Sequence, residues 1–366
     1  MKYTFTILFL IITNLVFSQT KGIKVLDLKP LHEDNKFPKI TSLGNEKIAE
    51  KVNTYLQLTY LEHIPGVFKK HPFEKVAYNG TSTNHASFLE WKRMPTRPHI
   101  LSLSISAEYT GAYSEESTSY ENFDLQTGDK ILIKNLFTKP GLVALEQSLN
   151  KRIRAEIKDY TNSIESSLKK DSGNVREDRE MLAMYNECLE SVVDNQMEYY
   201  SFYLRKDSIT FVRGRCSNHA MRALDDLDTF YESYSFAQIE KYLSPLGRNI
   251  LKGNVAEKLA DTPDGKIFKG KIDDKYAITL LIDKIYADGS VSIKYWYDKY
   301  KNPIAWNGTY KNGHFTLTEE DLNDNNAEAV PVKANISADW IERKSIIGRW
   351  TNIHTGKISS IKLQLY

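Results

Sequence analysis

Over residues 99–109, apolar and polar positions alternate with a period of two. Ile100, Ser102 and Ser104 fall on one face, and Leu101, Leu103 and Ile105 on the other. A polar loop with Gly111 follows, and 119–125 reads as a second strand. A Thr127-Gly128-Asp129 turn then leads into a third run, Ile131-Leu132-Ile133. Around this stretch the period lengthens. Ile48, Val52, Tyr55 and Thr59 recur at helical spacing within 45–62, with Asn45 as N-cap and Pro65-Gly66 as the stop. Leu142, Leu145, Leu149, Ile153 and Ile157 predict a second helix over 141–159, and Met181, Met184, Cys188 and Val192 a third. Strands are expected at 23–28, 88–94, 199–204, 209–212 and 229–234. Ser235 and Gln238 have the spacing of a capping box for a short helix ended by Pro245 and Gly247.

Beyond residue 265 only short strands are expected. Asp288-Gly289 and Asn312-Gly313 are hairpin signals between alternating runs. An apolar-x-Gly-x-apolar pattern recurs at Phe268-Gly270-Ile272, Trp306-Gly308-Tyr310 and Ile346-Gly348-Trp350. Each glycine there lets a neighbouring backbone or ring approach closely. About eight strands suffice for a small meandering sheet or barrel. The expected fold is an α+β N-terminal module, an antiparallel sheet packed by helices, followed by an all-β C-terminal meander or small barrel. The 366 residues divide as 1–18 signal peptide, 19–251 α+β domain, 252–265 linker and 266–366 antiparallel β domain.

Composition narrows the function. A net charge of +2 over the whole chain leaves no electrostatic footprint for nucleic acid and none for an anionic membrane surface. Lys2, the short apolar run 7–16 and Val16-Phe17-Ser18 before Gln19 read as a secretory signal. Export to the periplasm or the medium is therefore expected, with no membrane span in the mature chain. In that compartment Cys188 and Cys216 are able to form a disulfide; two buried thiols are the alternative.

Several motifs of the front part resemble known envelope modules. Phe37-Pro38-Lys39-Ile40 and Val52-Asn53 are similar to the start of the domain beside the catalytic unit of PdaC-type peptidoglycan deacetylases. Tyr109-Thr110-Gly111-Ala112, the segment Asn122-Phe123-Asp124-Leu125-Gln126-Thr127-Gly128 and Leu136-Phe137 resemble the C-terminal domain of RsiV-type anti-sigma factors, which sense lysozyme. The similarity spans 23–251. Two departures stand out: Ala112-Tyr113-Ser114 where the family loop has a second glycine and a histidine, and Arg215-Cys216-Ser217-Asn218-His219 in place of an Ala-Pro-Tyr-type segment. The resemblance implies recognition in the cell envelope, of a basic protein such as lysozyme or of peptidoglycan.

The candidate binding residues follow from this. Tyr109, Tyr113, Glu115, Glu116 and Tyr120 make the loop between the central strands acidic and aromatic, which suits a basic partner; an ordinary solvated loop is the plain alternative. Four of the five tryptophans lie in the last domain. Trp306, Trp340 and Trp350 share faces with isoleucines and read as core. Trp296 lies on the opposite face, as a ligand platform or as cover for the other domain. Asp321-Leu-Asn323-Asp-Asn325-Asn326 opens like a calcium loop but has Val332 at the twelfth position, so a polar hairpin loop is the simpler reading. The histidines show no zinc spacing, and there is no Gly-x-Ser-x-Gly elbow or phosphate loop. No catalytic residue, metal or cofactor is implied. The expected function is non-catalytic recognition; the alternative is a cell-wall hydrolase or deacetylase whose site is assembled from distant residues.

Overall fold

The computed structural model describes residues 22–29, 34–77, 85–109, 115–170, 175–254, 262–320 and 331–366. The expected signal peptide, Tyr113, half of the linker and the 321–326 loop lie outside them. Strand β1 (Lys24–Asp27) pairs with β2 (Pro38–Thr41), and helix α1 (Glu46–Tyr60) follows. One antiparallel sheet then runs β3 (Ala86–Arg93), β4 (Ile100–Tyr109), β5 (Glu115–Asp124), β6 (Asp129–Lys130). Helices α2 (Ile133–Leu136), α3 (Lys139–Lys169) and α4 (Val175–Ser191) lead to a second sheet. It comprises β7 (Tyr200–Leu204), β8 (Ser208–Arg213) and β9 (Phe230–Ser235), followed by α5 (Phe236–Ile239) and α6 (Pro245–Lys252).

The remaining strands are β10 (Lys266–Ile272), β11 (Tyr276–Ile285), β12 (Ser290–Tyr297), β13 (Ile304–Lys311), β14 (His314–Glu320), β15 (Val332–Ile341), β16 (Ser345–Asn352) and β17 (Ile358–Leu365). They close into an antiparallel barrel, β10 pairing with both β11 and β17. The chain is thus α+β followed by all-β, and the second part is a barrel. Its three patterned glycines are where strands press together. A Cβ on Gly270 would stand 2.0 Å from the Lys362 carbonyl oxygen, one on Gly308 2.2 Å from that of Thr316, and one on Gly348 2.3 Å from that of Ser337. At the Asn312-Gly313 hairpin both residues have positive φ, which is what a two-residue primed turn demands.

The structure departs from the patterning in a few places. The run 131–133 is no strand: pairing stops at Lys130, and Ile133 opens α2. Helix α3 continues a further ten residues, because Thr161 and Ile164 keep the buried stripe going. Asn45 occupies the cap position of α1 without a side-chain cap bond. Pro245 begins α6, whose Ser244 hydroxyl caps Gly247 N at 2.8 Å.

Both faces of β4 are buried, for different reasons. Leu101, Leu103 and Ile105 pack with Val52, Tyr55 and Leu56 of α1. On the serine face, the Ser102 hydroxyl donates to Asn122 Oδ1 at 2.7 Å, Asn122 Nδ2 donates to the Phe202 carbonyl at 2.8 Å, and Leu204 N donates to Asn122 Oδ1 at 3.1 Å. One amide therefore stands in for strand pairing and joins the first sheet to the second. The Thr127-Gly128-Asp129 turn makes a second junction. Gly128, at φ +74°, sits against Ile48 and Lys51 of α1, and the Asp129 carboxylate is clasped between the ammoniums of Lys51 and Lys266. Lys51 Nζ also donates to the Tyr366 carbonyl at 2.8 Å. Ile267, Leu281 and Trp296 of the barrel complete the apolar cluster around α1.

Candidate functional site

The acidic start of β5 meets the connection between β8 and β9. Glu115 Oε1 accepts from Arg215 Nη2 at 2.8 Å, and Glu115 Oε2 lies 2.6 Å from His219 Nδ1. Arg222 stands 3.6 Å from Glu116. Together with Ser117, Thr118, Tyr120, Asp228 and Tyr231 these groups line a cleft of about 670 Å³, within the range of small-ligand sites.

Local devices hold the connection in place. Cys216 is bridged to Cys188 of α4, so the segment is stapled to a helix. The Asn218 side chain caps the short 3-10 helix His219–Leu224, accepting from Met221 N at 3.1 Å. The Asp225 carboxylate accepts from Ser217 N at 2.7 Å, from the Tyr185 hydroxyl at 2.7 Å and from Asp228 N at 3.1 Å. Burial pushes the Asp225 carboxyl up, but these donors outweigh it and hold it below the ordinary carboxylate range. The result is a fixed rim on a loop.

The Arg215 guanidinium and the His219 ring hold Glu115 below its usual pKa, so it is ionised at neutral pH. On the floor, the rings of Tyr120 and Tyr203 stack with centroids 5.0 Å apart. Burial, with the Tyr231 hydroxyl as hydrogen-bond partner, pushes the Tyr120 phenol up. Tyr231 itself is 56% exposed. A second cavity, about 510 Å³, lies on the other side of the same segment, between the disulfide, Met184 of α4 and Tyr199.

The fold gathers Glu115, Glu116 and Tyr120 into this cleft. Tyr109 ends β4 opposite Glu115, 40% exposed at the rim. Tyr113 lies outside the described residues. Trp296 is elsewhere, 5% exposed where the barrel meets α1, so its indole serves that seam and does not stand free as a platform. Glu115 and Glu116 are not a bare acidic patch, because the chain supplies its own cations to them. Sequence reasoning missed Arg215, His219, Arg222 and Tyr231. The segment holding Arg215 and His219 was visible only as a departure from the family pattern, and its pairing to Glu115 spans about 100 residues. Among the described residues no group of three His, Cys, Asp or Glu has metal-binding geometry, and no helix is long and apolar enough to cross a membrane.

No family model and no curated protein matches the chain. Among solved structures it is similar to a member of the DUF3298 family from Bacteroides fragilis. That likeness covers 60% of this chain and 87% of the other, at 16% identity and a TM-score of 0.38.

Proposed function

We propose that the protein is exported to the cell envelope and that the Glu115–Tyr231 cleft binds a polar envelope ligand, a peptidoglycan fragment, without transforming it. The observation that carries this reading is the pairing of both Glu115 oxygens, one with the Arg215 guanidinium and one with the His219 ring, beside the exposed Tyr231. A carboxylate held ionised by a guanidinium is a poor general acid, and one already bonded on both oxygens is a poor base. Such groups instead present fixed donors and acceptors to a hydroxyl- and amide-rich ligand, while Tyr120 and Tyr231 supply flat contact area. The resemblance of the front part to RsiV- and PdaC-type modules supports the same compartment.

Calorimetric titration of the full mature chain with soluble peptidoglycan fragments tests this. Binding that weakens tenfold or more in Tyr231→Ala, about 1.4 kcal/mol, is the expected result. Absence of binding, or affinity indifferent to Tyr231, overturns it. Retention of lysozyme in place of the fragments would move the reading to a protein partner.

A further inference from the structure

His314 opens β14 with Asp339 of β15 directly opposite, and Thr316, two residues on, faces Ser337. These side chains share the outer face of the barrel, since Phe315, Leu317, Ile336 and Ala338 between them fill its interior. The register puts three groups in series. His314 Nδ1 lies 2.7 Å from Asp339 Oδ1, and His314 Nε2 lies 3.3 Å from Ser337 Oγ. A carboxylate on one ring nitrogen and a hydroxyl on the other is the relation a nucleophilic serine needs. On the far side of Ser337, β16 places Arg349 directly opposite. A cavity of about 490 Å³ adjoins Ser337, its lining mixing Thr316, Thr318 and Asn335 with Gly308, Leu317 and Ile336.

We propose that this face of the barrel is a serine esterase site for unhindered acyl esters. Ser337 is the nucleophile, His314 the base and Asp339 a positioning residue. Ser337 Oγ bonds to the ester carbonyl carbon as its proton passes to His314 Nε2, and the carbonyl π pair moves onto oxygen. As that pair returns, the bond to the alcohol oxygen breaks, and the alcohol leaves with the proton from His314. Water, giving its proton to His314, then releases the acyl group as the carboxylic acid and restores the serine. Ser337 and Asp339 are exposed and the His314 side chain is 43% exposed, where charge stabilisation is weak, so an activated ester and not an amide is the substrate.

The intact protein treated with a fluorophosphonate probe, followed by peptide mass mapping, tests the assignment. An adduct on Ser337 is expected, absent in Ser337→Ala and formed about a hundredfold more slowly in His314→Gln, with the far-UV spectrum of both variants unchanged. p-Nitrophenyl acetate should show the same ranking. The charged groups around the imidazole are Asp339 opposite it on β15, Lys311 opposite it on β13, and Arg349 beyond Ser337 on β16. Asp339→Asn should lower kcat for p-nitrophenyl acetate and leave KM unchanged, as loss of a positioning residue does. No adduct on Ser337, or an adduct whose rate ignores His314, overturns the proposal.

Discussion

At the scale of single residues, Asp129 holds more of the molecule together than any motif suggests. It lies in the Thr-Gly-Asp turn, is almost wholly buried, and bonds two lysines that come from α1 and from β10. Asp129→Asn would leave two buried ammoniums facing a neutral amide. Breaking a buried charge set in this way costs about 3–5 kcal/mol, which urea unfolding at neutral pH should register. The pH sign follows from the carboxyl. Burial works to raise its pKa, and Lys266 and Lys51 overcome this and lower it. Its contribution is therefore complete above the ordinary carboxylate range, near pH 4, and is lost as pH falls below it. Stability that falls between pH 5 and 3 in the native chain but stays flatter in Asp129→Asn is the expected result. The same residue was readable beforehand as part of a turn, because Gly128 beside it needs positive φ; its two lysine partners were not, since one lies 78 and the other 137 positions away.

Among elements, the connection from β8 to β9 is decided by its staple. The bridge from Cys216 to Cys188 spans 28 positions. In the chain-entropy model a loop of that size stabilises by about 3.5 kcal/mol. Replacing both cysteines by serine should lower the melting free energy by that order. It should also weaken fragment binding in the cleft, because Arg215 and Ser217 flank Cys216 directly. Intact affinity in the double variant would separate the cleft from the staple. The barrel strands make the opposite point about small residues. A methyl on Gly270 would meet the Lys362 carbonyl and the Leu363 Cα, and backbone of a closed barrel cannot step aside. Gly270→Ala is expected to cost 2 kcal/mol or more, roughly the upper part of the overpacking range. Thermal melting followed at the barrel tryptophans would show it.

For the whole molecule, the question is whether two architectures unfold as one. Ile267, Leu281 and Trp296 lie in the same apolar cluster as Val52, Leu56 and Phe123. Tyr55 adds a hydroxyl bond to Asp283 at 2.5 Å, and Lys294 donates to the Leu58 carbonyl at 3.2 Å. Helix α1 is thus core to both parts. Tryptophan fluorescence, which reports mainly the barrel, and the helical signal at 222 nm should fall together in urea. Trp296→Ala, removing a large buried side chain from the seam, should cost about 3–5 kcal/mol and split the two transitions. Coincident curves in that variant would show that the seam is not what couples them.

Local order was largely legible in the sequence. Period-two alternation marked β4 and the barrel strands, and the 3.6-residue stripe marked α1, α3 and α4. Asn312-Gly313 marked its hairpin, because these signals depend on neighbours a few residues apart. Closure of the barrel, the Asn122 junction between sheets, the union of Glu115 with Arg215 and His219, and the alignment of Ser337, His314 and Asp339 were decided only by tertiary structure. Each depends on which strand lies beside which. Side-chain chemistry says what a residue is able to bond, but in these cases only the fold brought the partner within reach.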